Sequence, residues 1–105
     1  MLALVAERRD PESGAPEIAG VGRLSKLRDG VSAEFAILVS DRFQLHGLGT
    51  ELLSRIVAIG RDEKLGRING SILPDNRGMQ RLCEKLGFRL RNDSQERLVK
   101  AELGL

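Results

Sequence analysis

Tryptophan and tyrosine are absent from the 105 residues, phenylalanine occurs three times, and there is one cysteine and one histidine. Without stacking aromatics the chain has no platform for single-stranded nucleic acid, and its basic residues do not compensate. The 17 Lys and Arg stand against 15 Asp and Glu, a net charge of +2, and the signs alternate instead of gathering into a basic stripe. Cys83 alone cannot form an internal disulfide, so a reducing, cytoplasmic setting is expected. No apolar run approaches the ~20 residues of a membrane-spanning helix. The opening LALVAERRD lacks the basic segment and small-residue cleavage site of a secretory signal. Neither nucleic acid nor a membrane is an expected partner.

What remains is the composition of an ordinary globular unit, 41% hydrophobic and 30% charged. At this length it reads as a single domain over residues 1–105, burying roughly 65% of the surface its unfolded chain exposes. The segment LALVAERR is strand-like, and DPESGAPE supplies the turn chemistry of a hairpin. IAGVGRLSKL reads as the second strand, with Gly20 and Gly22 marking a bulge or a close approach. After the tight-turn signal RDG, the apolar VSAEFAILV is the central strand. Leu48, Leu52, Ile56 and Ile59, with Leu53 and Val57 beside them, recur at helical spacing opposite Glu51, Ser54, Arg55 and Asp62. RINGSIL is a further strand. Asp75 or Asn76 caps a second helix carrying Met79, Leu82, Cys83 and Leu86, which Gly87 and Phe88 end in a Schellman-type turn. The last residues read as two edge strands around a polar turn at 92–95. The order predicts an α/β fold with a mixed sheet.

The stretch QLHGLGT, residues 44–50, sits at the mouth of the first helix. Glycine there is costly unless something must approach the backbone, and a helix N-terminus presents unsatisfied N–H groups and a partial positive charge. The spacing points to a phosphate. It is neither a P-loop ending in Gly-Lys-Ser/Thr nor a Gly-x-Gly-x-x-Gly fingerprint.

Gln44 to Gly49 resembles the Q/R-x-x-G-x-G/A signature of the GNAT family of acyl-CoA-dependent N-acetyltransferases, and LPDNRGMQRLCEKLGF is similar to that family's second conserved block. AEFAILVSDRFQ, ALVAERRDPESG and CEKLGFRL look most like the GNAT domain associated with bacterial NDP-forming acyl-CoA synthetases and protein lysine acetyltransferases. The resemblance implies a mixed, mostly antiparallel sheet with helices on its faces, and acetyl-CoA as co-substrate with no metal. The family begins with a strand and one or two helices that are not recognised here. The expectation is therefore an N-terminally truncated domain whose missing elements belong to a longer protein or a partner.

The family's binding residues carry over position by position. The pyrophosphate would rest on the backbone of Gln44, Leu45, His46, Gly47, Leu48, Gly49 and Thr50. The pantetheine arm would run along Ile37, Leu38 and Val39, where the central strand splays from its neighbour, with Asn76 and Met79 on the other side. His46 is expected to serve through its amide. Arg77 and Arg81 are candidates for the CoA 3′-phosphate. Many members place a Tyr where Cys83 stands, as the acid for the leaving thiolate. Cys83 is thus a candidate acid, although its place on the apolar stripe also reads as a buried inert thiol.

Glu34 is the candidate general base. A lysine amine must lose its proton before it attacks, and Glu34 is the only acidic residue in the apolar strand. It precedes Val39 by five residues, roughly 17 Å, close to the roughly 15 Å span of an extended pantetheine arm. Partial burial is expected to raise its pKa. The function implied is transfer of acetyl from acetyl-CoA to a primary amine, with a protein lysine as acceptor. The alternatives are a small-molecule amine acetyltransferase and a non-catalytic acyl-CoA-sensing domain of an attached or partner acyl-CoA synthetase. One sheet face should expose apolar residues of LALV and IAGVG, so self-association or a covering partner is expected.

Overall fold

The computed structural model describes residues 2–9, 12–39 and 47–105, with Arg8 described through its backbone only. Eight elements follow one another: β1 (Leu2–Arg9), β2 (Pro16–Lys26), β3 (Ser32–Val39), α1 (Leu48–Asp62), β4 (Arg67–Ile72), α2 (Arg77–Lys85), β5 (Arg89–Asp93) and β6 (Leu98–Gly104). The strands form one sheet in the order β1-β2-β3-β4-β6-β5. Its β3–β4 pair is parallel, and its other pairs are antiparallel. The order and type of the elements match the sequence reading, and β3 is central. Of the two strands expected at the edge, β5 alone is there. β6 is inserted beside β4, because its alternating Val99, Ala101 and Leu103 are buried and must lie over the core.

Both helices pack on the same face of the sheet. Helix α1 buries Leu48, Leu52, Leu53, Ile56 and Val57, the stripe expected from its period. It lies close to β2: a Cβ on Gly20 would come 3.1 Å from Leu52 Cδ1, and one on Gly22 3.0 Å from Ile56 Cδ1. These glycines serve a close approach, and the β1–β2 register shifts beside Gly20, where Ala19 is the extra residue opposite Ala6 and Glu7. Helix α2 is capped by Asn76, whose Oδ1 accepts from the Met79 N–H at 3.1 Å. It ends as expected, with Gly87 at φ 97 and the Phe88 N–H donating to the Cys83 carbonyl at 2.9 Å. On the face without helices Val5, Ile18 and Leu38 are exposed. Val5 and Ile18 come from the two stretches expected to expose apolar residues, LALV and IAGVG.

The β3–β4 junction positions the site. At one end it is pinned: Asp29 accepts hydrogen bonds from the Ser32 hydroxyl at 2.7 Å and the Ser32 N–H at 2.8 Å, and Arg67 Nε donates to Ser32 Oγ at 3.2 Å. The hydrogen bonds from Ser32 hold the Asp29 carboxyl below its usual range. At the other end the register stops at Phe35 opposite Gly70, although β3 runs to Val39 and β4 to Ile72. Phe35 lies over Gly70 and meets Phe88 edge to face at 5.4 Å. A Cβ at Gly70 would overlap the Phe35 ring. Gly70→Ala should therefore destabilise the domain by about 1–3 kcal/mol, read as a lower urea midpoint. An unchanged midpoint would show that the ring is not packed on this glycine.

Candidate functional site

The two helix N-termini converge on the place where β3 and β4 part. Gly47 caps α1 in the left-handed region at φ 74, with no side-chain cap, a conformation that favours glycine. Gly49, inside the first turn, has no such need. A Cβ there would meet Leu82 Cδ2 at 3.5 Å and Val39 Cγ2 at 3.9 Å, ordinary contacts. Glycine in a helix costs about 1 kcal/mol relative to alanine, so packing within the chain does not account for Gly49. Gly78, in the first turn of α2, is alike: the nearest atom to its Cβ would be Asn76 Oδ1 at 4.0 Å. Both glycines border one cleft of about 630 Å³, whose third wall is Ile37, Leu38 and Val39. First-turn N–H groups lack helical acceptors, and beyond Phe35 the register to β4 is not continued. The cleft thus offers donors at two helix starts and a strand edge, with space where side chains have been omitted.

Among the residues expected here, Gly47, Gly49, Thr50, Asn76, Met79 and the 37–39 segment line the cleft. Gln44, Leu45 and His46 lie outside the described residues. The Leu48 side chain belongs to a small core cluster with Ala19 and Leu52, which leaves its backbone for a ligand. Leu38 turns its side chain to the opposite face, where it is 74% exposed. Leu73, Asp75, Gly78 and Leu82 line the cleft without having been singled out for it, and Arg77 lines it whereas Arg81 does not. Leu82 was recoverable, since it stands one helical turn after Met79.

Glu34 is on the other face of the sheet. It faces Asn69 across the β3–β4 pair, one step before the last register position at Phe35 and Gly70. Both line a second cleft of about 620 Å³. Glu34 therefore stands one residue before the point where the strands part. The expected partial burial is not observed: Glu34 is exposed, because no helix among the described residues covers this face. The Asn69 Oδ1 is buried with no hydrogen-bond partner. Lys100, in the same cleft, donates to Glu96 at 2.6 Å. This hydrogen bond pushes the ammonium pKa up, and the charge of Glu34 adds a weaker effect.

Cys83 has 0% exposure and lines neither cleft. Burial pushes its thiol up to about 11. This placement corrects the reading of Cys83 as a candidate acid: the thiol sits in the core without access to either wall. No group of three or more His, Cys, Asp or Glu able to hold a metal occurs among the described residues.

Residues 2–89 match the family described as acetyltransferase (GNAT) domain. A domain from Methanocaldococcus jannaschii superposes with a TM-score of 0.81 at 19% identity, over 98% of this chain and 66% of that one. The GNAT domain of S. lividans PAT gives 0.75 at 25% identity, over 89% and 56%. The structure of yncA from Salmonella typhimurium with its cofactor acetyl-CoA gives 0.71 at 22%, over 84% and 58%. The chain thus spans 66%, 56% and 58% of these three structures.

Proposed function

Because this chain belongs to the GNAT acetyltransferase domain family, we propose that it binds acetyl-CoA in the cleft between the two helix starts and transfers the acetyl group to a primary amine. The observation that carries the reading is Gly49: packing leaves room for a Cβ, the helix is weakened by its absence, and the position borders the first-turn N–H donors. That combination suits a pyrophosphate. The β3 edge at Ile37 and Leu38 suits the amide groups of a pantetheine arm, and Asn76, its oxygen committed to the α2 cap, keeps its amide N–H groups for the other side.

When bound, acetyl-CoA supplies a thioester, an acyl group activated toward an amine. The protein's part is to orient the arm, to admit the amine from the face that bears Glu34, and to take its proton at the Glu34 carboxylate. The acceptor we favour is a protein lysine. Support comes from the sequence resemblance to the GNAT domains of bacterial protein acetyltransferases and from the 25% identity with the S. lividans PAT domain. A non-catalytic acyl-CoA sensor is the second reading, favoured by the burial of Cys83, which removes the side chain that could protonate a leaving thiolate. Calorimetry with acetyl-CoA, followed by an assay of thiol release in the presence of a lysine peptide, separates the two. Binding with amine-dependent release supports the transferase, binding without release supports the sensor, and no binding sinks both.

A further inference from the structure

The cleft on the helix-free face is polar, and its charges are arranged. Across it the register sets Glu34 on β3 against Asn69 on β4, Asn69 against Glu102 on β6, and Glu102 against Arg89 on β5. One step along, Lys100 stands opposite Arg91. Negative charge lies at the β3 end and two arginines at the β5 end, and all these residues line the cleft.

The groups between the two ends are already engaged. Lys100 is held by Glu96 at 2.6 Å and by the Ser71 hydroxyl at 3.0 Å, and Glu102 faces Arg67 at 3.9 Å. Among the described residues neither Arg89 nor Arg91 has an ion pair within 4 Å. Arg91 also faces Lys100, and like charges directly opposite on paired strands repel; Asp93 acts on both and Glu96 holds Lys100, and a ligand anion at Arg89 and Arg91 would add to them. At the other end Asn69 carries a buried oxygen without a partner, an arrangement that native structures rarely leave unsatisfied. Asn69 is the register partner of Glu34, and an ammonium group held between them would supply the donor that this oxygen lacks.

We propose that this cleft receives the acceptor and selects amines that carry an anionic group, with the amine held at Glu34 and Asn69 and the anion at Arg89 and Arg91. The inference rests on the reading of Glu34 as the group that meets the amine. Three strand spacings of about 4.8 Å separate the ends, roughly 14 Å of backbone. A glutamate and an arginine leaning inward leave room for an amine and a carboxylate several bonds apart. Two sources share this chemistry, a small amino acid and a lysine flanked by acidic residues in a protein.

The test is amide NMR titration of the whole chain with two matched pairs of probes: 6-aminohexanoate against hexylamine, and a short peptide with Lys followed by two Asp against the same peptide with two Asn. At least one anionic probe should bind about tenfold or more tightly than its neutral partner, the effect of a charge-assisted contact, with shifts centred on Asn69, Arg91 and Lys100. In the double variant Arg89→Gln, Arg91→Gln that ratio should fall to within twofold of one. Preference in the first pair assigns a small amino acid, and preference in the second assigns a protein. Equal binding within both pairs, or a preference that survives the double variant, overturns the inference. Because binding is read without turnover, the selectivity can fail while acetyl transfer persists. It can equally hold in a chain that transfers nothing.

Discussion

Replacing Gly49 with Val is expected to weaken acetyl-CoA binding by about 10²-fold or more while the domain stays folded. The fold half of this expectation follows from distances: the new Cβ meets Leu82 and Val39 at 3.5 and 3.9 Å, and a helical valine is if anything better than glycine. The binding half follows from the space those distances leave. The branched methyl groups would stand over the first-turn N–H groups of α1, where the account puts a doubly charged pyrophosphate. Hydrogen bonds to a charged group contribute about 1.5–3 kcal/mol each, so losing two of them is a hundredfold or greater loss. Calorimetry reads the affinity and a thermal melt reads the fold. If the variant melts normally and binds acetyl-CoA as the parent does, the phosphate is not held at Gly49.

Glu34→Gln should show the opposite division: nearly unchanged affinity for acetyl-CoA, and turnover at neutral pH reduced at least about tenfold, and by as much as the roughly 10²- to 10⁴-fold that general-base catalysis typically contributes. The substitution keeps shape and removes only the proton acceptor. A lysine amine with a pKa near 10.4 is neutral in about one molecule in 2,500 at pH 7, so the unassisted reaction draws on very little nucleophile. Raising the pH enlarges that fraction, and the variant should recover part of its rate near pH 9.5 while the parent changes less. Turnover within twofold of the parent at neutral pH would remove Glu34 from the role. Since Glu34 is exposed on the face away from α1 and α2, the substitution should leave the thermal midpoint where it was.

Helix α1 was legible because two independent signals coincide there, a long run of apolar residues at helical spacing and glycines before it, and the structure places it at Leu48–Asp62. The cap and ending of α2 were legible for the same reason, since Asn76 and Gly87 act through local backbone geometry. The place of β6 was not read. Whether a strand lies at the edge depends on which strand it pairs with, and Leu98–Gly104 pairs on both sides. Its alternation of Val99, Ala101 and Leu103 was the available clue. An apolar strand suggests two covered faces, but both described helices lie on one, which leaves Glu34 exposed. Gly78, Leu73 and Asp75 were not read as wall residues. What puts them there is the end of β3–β4 pairing and the turn that follows β4, a tertiary event without a local spacing. Gly47 and Gly49 were found because their signal lies wholly in one segment.

The most direct measurement is a titration of the isotope-labelled chain with acetyl-CoA, followed at every backbone amide. The account predicts that the largest shifts fall on Gly47, Gly49, Thr50 and Gly78 and on the 37–39 edge of β3, with Arg89 and Arg91 on the far face nearly still. A titration that leaves both helix starts unmoved, or that moves only the face bearing Glu34, would contradict it.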